Sequence, residues 1–195
     1  VGYTEGQPIL RRLDLRIDDD DRIGLLGANG NGKSTFLKLI SGRLDAMSGR
    51  IVRGDKLKIA YFAQHQLDEL RPAESVYQHL RRLMPDDPEA KVRAACARSG
   101  FSGDRSDTKV SSLSGGEKAR LLFALAVFEG PHLLILDEPT NHLDIDSRAA
   151  LVEALNGYSG AVMIVSHDRH LLESTVDRLW LVRDGTVKPL SLIHI

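Results

Sequence analysis

A glycine-rich segment near the start of the chain has the residue types that hold phosphate groups. It reads GANGNGKS from Gly27 to Ser34, after a short apolar stretch and before a run of helix-forming residues. Glycines let successive backbone N–H groups point at phosphate oxygens, and the N-terminus of the following helix adds positive dipole. We expect Lys33 to reach the β- and γ-phosphates and Ser34 to bind Mg²⁺. The alternative is a glycine-rich turn that binds nothing.

Two acidic residues follow a second apolar stretch. Leu133–Leu136 is continuously apolar, which is typical of a strand buried on both faces, and Asp137 and Glu138 come directly after it. Open α/β sheets place their ligands at this end of the strands. We expect Asp137 to hold Mg²⁺, directly or through water, and Glu138 to orient and polarise an attacking water. The alternative is a turn that carries two solvated acids.

Two further side chains follow predicted strands and could assist phosphoryl transfer. Gln64 comes after the strand that ends in YFA, where its amide could contact both Mg²⁺ and water. His167 comes after the apolar strand Ala161–Val165 and could donate a hydrogen bond to the γ-phosphate. Taken alone, each is more common as a surface glutamine or a loop histidine. Their positions at strand ends beside the phosphate loop favour the functional interpretation.

Other interpretations stay open for several residues. His142, Asp144, His167 and His170 could form a metal site, although their spacing fits no tight ligand motif and no cysteine joins them. The ring of Tyr3, upstream of the phosphate loop, could stack on adenine or pack into the core.

The elements that must position these residues alternate along the chain. Strands and helices in succession after residue 130 indicate an α/β domain with a mostly parallel central sheet, preceded by an antiparallel N-terminal β lobe. The predicted strands are Leu13–Ile17, Arg22–Leu26, Ile51–Val52, Leu57–Phe62, His132–Leu136, Ala161–Val165, Leu179–Val182 and Thr186–Lys188. The predicted helices are Ser34–Ile40, Glu74–Leu83, Pro88–Ser99, Gly116–Phe128, Ser147–Asn156 and Asp168–Thr175.

The predicted organisation is one domain over residues 1–189, with a small helical subdomain at about 72–128 inserted in it. The helix Gly116–Phe128 contains LLFALAVF, which is apolar almost all round, so we expect it to be buried. The last six residues, 190–195, resemble the translated end of a DNA-library adapter, and we expect them to be a non-native tail. The alternative is a native hydrophobic strand.

Composition restricts the classes of partner. The 195 residues contain 26 Lys and Arg against 27 Asp and Glu, a net charge of −1, which gives no argument for binding nucleic acid or a membrane surface. A single cysteine excludes an internal disulfide framework and fits a reducing compartment. No apolar run approaches the roughly 20 residues that cross a bilayer. We therefore expect a cytoplasmic protein without a membrane segment.

With these residues assembled, the chain resembles the nucleotide-binding domain of ABC-type ATPases, which have a P-loop NTPase fold. GANGNGKS matches the Walker A motif, LSGGE at Leu113–Glu117 the ABC signature and LLILDE the Walker B motif. Gln64 matches the Q-loop, Asn141–Asp144 the D-loop and His167 the switch histidine. The six motifs follow the family's order along the chain, with Gln64 between the Walker A motif and the signature. Their number and domain-scale spacing make the resemblance specific and extend it over essentially all of residues 1–189.

The resemblance implies ATP and Mg²⁺ as ligands and a role for each matching residue. Glu138, His167 and Gln64 would be catalytic, and Ser34, Gln64 and Asp137 would hold Mg²⁺. ATP would be bound in cis by Tyr3, Gly27, Asn29, Gly30, Gly32, Lys33, Ser34 and Thr35. The signature residues would bind the γ-phosphate of ATP held by a second cassette, in trans; they are Ser114, Gly115, Gly116 and Glu117.

Several strings resemble the ABC-F subfamily, soluble proteins with two cassettes in tandem that act on the ribosome. They are LDEPTNHLD at Leu136–Asp144, SHDR at Ser166–Arg169, LSGGEKAR at Leu113–Arg120, and YFAQH at Tyr61–His65, which is similar to the second, C-terminal cassette. The implied partners are a second cassette, in tandem or as a homodimer, and the ribosome through parts outside this segment. The alternatives are the ATPase subunit of a membrane transporter and an ABC ATPase of DNA repair or chromosomes.

Overall fold

Six strands and six α-helices lie along the computed structural model, which describes residues 1–4, 6–62, 70–141 and 143–190. The strands in these ranges are β1 Arg22–Leu26, β2 Ile59–Phe62, β3 Leu133–Asp137, β4 Ala161–Val165, β5 Arg178–Arg183 and β6 Thr186–Leu190. The helices are α1 Lys33–Ile40, α2 Val76–Leu83, α3 Glu89–Arg98, α4 Gly115–Ala126, α5 Ile145–Asn156 and α6 Arg169–Thr175, with short 3₁₀ turns at Gly103–Asp107 and Val110–Ser112.

The six described strands form one sheet in the order β2-β3-β4-β1-β5-β6. The first four neighbouring pairs are parallel, and β5 and β6 form an antiparallel hairpin. Asp184 and Gly185 connect the hairpin with φ of 52° and 72°, as a two-residue turn of type I′ requires. The predicted α/β fold with a mostly parallel sheet is confirmed. Because β1, β4 and β3 run side by side in one direction, their carboxyl ends meet at one edge.

The chain divides into two compact units. The first comprises the described residues of Val1–Ala63, Pro131–Pro139 and Ser159–Ile195, and contains the whole sheet with α1 and α6. The second comprises those of Gln64–Gly130 and Thr140–Tyr158, and contains α2, α3, α4 and α5. The second unit thus includes α5, which the alternation of strands and helices in the sequence assigns to the sheet-bearing part.

The core of the first unit lies between the sheet and α1. Trp180 on β5 and Phe36 on α1 are both fully buried, and their ring centroids are 6.1 Å apart. Ile23 and Leu25 from β1 join the same cluster. Because α1 begins one residue after Gly32, burial of Phe36 fixes the helix whose first turn follows the phosphate loop.

In the second unit, α4 packs against α5. Two serines cap helices of this unit, Ser75 at the start of α2 and Ser114 at the start of α4. Ser75 and Ser114 each accept a hydrogen bond from the backbone N–H three residues on, while the Gln78 and Glu117 side chains accept from the serine N–H groups. These reciprocal bonds are capping boxes, which satisfy two otherwise unpaired donors at each helix start.

The expectation that LLFALAVF is wholly buried is wrong for its second half. Leu121, Leu122 and Phe123 are buried, whereas the residues from Ala124 to Phe128 are only half-buried. Three of them, Ala124, Val127 and Phe128, line an open groove of about 450 Å³ within the second unit, between α3, α4 and α5. The sequence of a helix shows how apolar its side chains are. How many of them are buried depends on the helices that pack against it.

The predicted strands Leu13–Ile17 and Ile51–Val52 are not formed, so the described residues contain no N-terminal antiparallel sheet. The alternation at residues 13–17 does match burial, because Leu13, Leu15 and Ile17 are half-buried against the core and their neighbours Asp14 and Arg16 are exposed. Alternation shows which side chains face the core, whereas a strand also requires a backbone partner.

At the other end of the chain, Leu190 is the last residue of β6 and pairs with Leu179. Residues 191–195, the rest of the expected tail, lie outside the described residues. None of the described helices is both long enough and apolar enough to span a membrane.

Phe36→Ala tests the anchoring of α1. Because Phe36 is fully buried against Trp180, we expect its removal to lower the free energy of unfolding by about 3–5 kcal/mol. Urea denaturation followed by the fluorescence of Trp180, the single tryptophan, measures this. Val52→Ala, at a side chain that is 75% exposed, is the control and should change stability by less than about 0.5 kcal/mol. A loss below about 1 kcal/mol in Phe36→Ala would contradict the anchoring role.

Candidate functional site

The loop between β1 and α1 turns so tightly that its first glycine admits no side chain. Gly27 has φ of 148°, and a Cβ built there would lie 2.5 Å from the carbonyl oxygen of Val182 on β5. Gly32, the N-cap of α1, has φ of 100°, a value that residues with a side chain rarely adopt. The loop therefore has glycines where it turns most tightly, and it brings backbone N–H groups to the start of a helix, which favours an anion.

Lys33 folds back over this loop. Its ammonium nitrogen lies 2.6 Å from the carbonyl oxygen of Gly27 and 3.2 Å from that of Ala28. The Asn29 amide oxygen is 3.5 Å away. These contacts hold the positive charge of Lys33 against the loop, where the ammonium and the loop N–H groups could act on one anion.

The loop faces the ends of β3 and β4 across a cleft of about 310 Å³ that lies within the first unit. Most residues expected to bind ATP in cis line it, together with the two acids after the apolar strand. The lining residues are Ile9, Asn29, Gly30, Gly32, Lys33, Ser34, Thr35, Asp137, Glu138 and Val165. The parallel register brings together residues more than 100 positions apart in the sequence.

Asp137, the last residue of β3, is held by a side chain that sequence analysis missed. The Tyr61 hydroxyl on β2 donates a hydrogen bond of 2.8 Å to Asp137 Oδ2. Burial and then this hydrogen bond raise the pKa of Tyr61 above its ordinary value, so the hydroxyl keeps its proton. The guanidinium of Arg43 lies 4.4 Å from the centroid of the Tyr61 ring. The alternation of side chains along β2 was the only sequence signal for the orientation of Tyr61, and it does not identify Asp137 as its partner.

Glu138 has a strained backbone and lies beside His167. Its φ of 50° is in the left-handed region, and its N–H donates to the carbonyl of Val165 at 2.8 Å. Glu138 Oε1 is 3.4 Å from His167 Nε2, and Oε2 accepts from the His167 N–H at 3.4 Å. The turn therefore directs the carboxylate to the end of β4, where it and the imidazole can act on one atom.

Tyr3 lies on the surface beside α1, so of the two alternatives for its ring, packing into the core is excluded. It is 58% exposed, and its hydroxyl is 3.2 Å from Lys38 Nζ, with the ammonium 5.1 Å from the ring centroid. A hydrogen bond with Thr35 is the largest cause that lowers the pKa of Tyr3, and burial opposes it. The ring is thus fixed next to a residue of the phosphate cleft and open to a flat ligand.

The signature residues lie in the second unit, at the start of α4. The Ser114 N–H donates to Glu117 Oε2 at 2.9 Å, and the other oxygen of Glu117 forms an ion pair with Arg105. A Cβ on Gly115 would lie 2.5 Å from both Asp144 Oδ2 and Ser147 Oγ, so this glycine lets the starts of α4 and α5 meet. Gly116 is buried in the first turn of α4.

Asp144 is the N-cap of α5, where the hydrogen bonds from the Ser147 side chain and N–H lower its pKa. Capping α5 is thus a structural role for Asp144, one of the four residues of the alternative metal site. His167 belongs to the first unit, and Gln64 and His142 lie outside the described residues. Across residues 1–4, 6–62, 70–141 and 143–190, no group of three His, Cys, Asp or Glu is arranged to hold a metal ion.

Mg²⁺ fits the oxygen donors of the cleft. The Ser34 hydroxyl and the Asp137 carboxylate both line it, and Mg²⁺ is commonly bound by one or two protein oxygens together with substrate phosphates. The absence of side chains at Gly30 and Gly32, which line the cleft, leaves room for those phosphates next to the two donors.

Comparison with known proteins yields matches over nearly the whole chain. The family described as ABC transporter matches residues 10–141. The probable ATP-binding protein YheS of Escherichia coli K12 is 53% identical over 189 residues, which cover 97% of this chain and 30% of YheS. ABC transporter F family member 3 of Arabidopsis thaliana is 44% identical over 188 residues, which cover 96% of this chain and 26% of that protein.

A solved structure matches the fold as well. CbiO1 from Clostridium perfringens, described as part of the ABC transporter complex CbiONQ, superposes with a TM-score of 0.76 at 27% identity, covering 96% of this chain and 83% of that one. In contrast, the chain spans only about 30% of the length of the curated relatives.

Gly27→Ala tests the close approach in the loop. The added methyl group would collide with the Val182 carbonyl, so the loop must shift and lose its array of N–H groups. We expect the affinity for a non-hydrolysable ATP analogue, measured by calorimetry, to fall roughly tenfold or more. Gly54→Ala, where a Cβ meets nothing within 4 Å, is the control. An affinity within about twofold of the original in Gly27→Ala would contradict the need for glycine.

Proposed function

Because the chain belongs to the ABC transporter family, we propose that it is an ATP-binding and ATP-hydrolysing cassette, and that it is of the ABC-F type. The observation that carries this proposal is the single cleft in which Lys33 and Ser34 face Asp137 and Glu138. Phosphoryl transfer requires charge compensation and an aligned nucleophile more than covalent chemistry by the protein, and these four residues have the right types for both.

In the proposed binding step, the loop from Gly27 to Gly32 holds the β- and γ-phosphates through its N–H groups. The Lys33 ammonium exchanges its contacts with the Gly27 and Ala28 carbonyls for the phosphate oxygens. Tyr3 stacks on the adenine ring from its exposed position beside α1. Mg²⁺, when bound by Ser34 and Asp137, would neutralise phosphate charge and align the terminal phosphoryl group.

In the proposed hydrolysis step, the Glu138 carboxylate orients a water and accepts its proton as the oxygen attacks the γ-phosphorus. The bond from phosphorus to the bridging β–γ oxygen breaks, the electron pair stays on ADP, and inorganic phosphate forms. His167, 3.4 Å from Glu138, donates a hydrogen bond to the γ-phosphate oxygens as their charge shifts. Gln64 is proposed to contact the water and Mg²⁺.

The signature residues suit a second nucleotide, bound by another cassette. Ser114, Gly115, Gly116 and Glu117 form the N-terminal turn of α4, where N–H groups and the helix dipole attract an anion. We propose that this turn contacts the γ-phosphate held by the loop of a second cassette, in tandem or as a homodimer. ATP would then close a two-cassette sandwich, and hydrolysis would loosen it.

The ABC-F assignment is supported by relatives and by local strings. ABC transporter F family member 3 of Arabidopsis thaliana matches at 44% identity, and LDEPTNHLD and SHDR accompany the site residues. We propose that the parent protein is a cytoplasmic factor that acts on the ribosome in translation, with this segment as its second cassette. A transporter ATPase is the second candidate, favoured by the likeness to CbiO1.

Glu138→Gln, made in the parent protein, tests the catalytic carboxylate. The amide retains the size of the side chain but cannot accept the water proton, so we expect turnover to fall about 100-fold or more with ATP affinity unchanged. Phosphate release and binding of a fluorescent ATP analogue measure the two quantities. Glu173→Gln, an exposed carboxylate on α6, is the control. Near-normal hydrolysis in Glu138→Gln would remove Glu138 from this role.

Ser114→Arg tests the role of the signature turn and the ribosome together. In the Glu138→Gln background with ATP, the parent protein should co-sediment with ribosomes, because hydrolysis no longer opens the sandwich. Ser114→Arg should abolish this co-sedimentation while ATP still binds the loop of the same cassette. Ser112→Arg, at an exposed position two residues earlier, should leave it intact. If Glu138→Gln itself binds vesicles bearing a polytopic partner instead of ribosomes, the transporter candidate is correct.

A further inference from the structure

We propose that Tyr61 is a positioning residue that holds the Asp137 carboxylate for the metal ion of the cleft. This inference rests on the proposed function, because it assigns a support to one of the two proposed Mg²⁺ donors. Tyr61 lies on β2 in the string YFAQH, but none of the residue roles that the resemblance implies falls on it, and it is not among the residues that line the cleft.

Strand register brings the two side chains together. Tyr61 is paired with Ile135 in the parallel β2–β3 ladder, and Asp137 is two residues beyond Ile135 on β3. Because side chains alternate between the faces of a strand, Tyr61 and Asp137 lie on the same face as neighbours along a diagonal. The Tyr61 hydroxyl spans this diagonal and meets Asp137 Oδ2 at 2.8 Å.

The hydrogen bond from Tyr61 gives the two oxygens of the Asp137 carboxylate different roles. Oδ2 accepts from Tyr61, which restricts rotation of the carboxylate and leaves Oδ1 for a cation. Groups that support metal ligands in this way set ligand orientation and typically change metal affinity when removed.

The tyrosine ring is held in turn by Arg43. The guanidinium of Arg43 lies 4.4 Å from the ring centroid, and the backbone N–H of Arg43 donates to the Lys38 carbonyl on α1 at 2.9 Å. The ring is therefore fixed by the sheet on one side and by the segment after α1 on the other. A phenylalanine would fill the same space, so the hydroxyl is the part of the residue that packing alone does not explain.

Tyr61→Phe isolates the hydroxyl while retaining the ring. Tyr77→Phe is a matched control, because Tyr77 on α2 also has an arginine, Arg93, over its ring, at 5.0 Å, but lies in the second unit. Electron paramagnetic resonance would measure Mn²⁺ binding to the protein with a non-hydrolysable ATP analogue. Calorimetry in EDTA would measure the affinity for the metal-free analogue.

We expect Tyr61→Phe to weaken Mn²⁺ binding about tenfold, with metal-free nucleotide affinity unchanged. The Mg²⁺ concentration for half-maximal hydrolysis should rise by a similar factor, while the rate at saturating Mg²⁺ is retained. Tyr77→Phe should change neither quantity. In an Asp137→Asn background, Tyr61→Phe should have no further effect on Mn²⁺ binding, because the supported carboxylate is already absent.

Unchanged Mn²⁺ affinity in folded Tyr61→Phe, or an equal loss in the Asp137→Asn background, would overturn the proposal while leaving the proposed function intact. If the original protein itself binds neither the analogue nor its Mn²⁺ complex, the proposed function fails and this inference with it. Should Tyr61→Phe not fold, Arg43→Gln changes only the exposed side chain over the ring. It should weaken Mn²⁺ binding about threefold, and unchanged affinity there would overturn the proposal.

Discussion

The close approach of the chain at Gly27 is the constraint on which the phosphate loop depends. The carbonyl of Val182 occupies the space that any side chain at Gly27 would need, so the chain that leaves β1 lies in direct contact with β5. Immediately after the turn, α1 buries Phe36 against Trp180 of the same strand β5. The loop is thus held at both ends by contacts with one strand, which organise its N–H groups independently of any ligand contact. Such preorganisation lowers the cost of binding an anion.

The acidic side of the cleft is organised differently, by supports that come from other strands. Tyr61 of β2 holds Asp137, and the left-handed backbone of Glu138 turns its carboxylate toward His167 at the end of β4. Strain of this kind persists only where the surroundings fix it, and here the bond from the Glu138 N–H to Val165 contributes. Two adjacent acids thereby receive different environments, which suits one to a metal ion and the other to a water.

The second unit has its own organisation around two helix starts. The capping box at Ser114 and the cap at Asp144 meet because Gly115 has no side chain. The Glu117 carboxylate accepts the hydrogen bond of the Ser114 N–H and forms an ion pair with Arg105. These contacts stabilise an acidic side chain in a turn that otherwise attracts anions. The far end of α4 is half-buried beside an open groove, which shows that apolar composition and coverage are separate properties.

The sequence by itself determined the phosphate loop, the acids after an apolar strand, the order of strands and helices and the parallel sheet, because glycine spacing and apolar periodicity are local signals. It was wrong about strands at Leu13–Ile17 and Ile51–Val52 and about complete burial of α4, since pairing and coverage depend on distant segments. Only the tertiary structure decided that Tyr61 holds Asp137, that Glu138 faces His167 and that Tyr3 is exposed. These contacts join segments that are far apart in the chain, and the periodicity of one segment shows which of its side chains share a face but not which distant residue lies opposite.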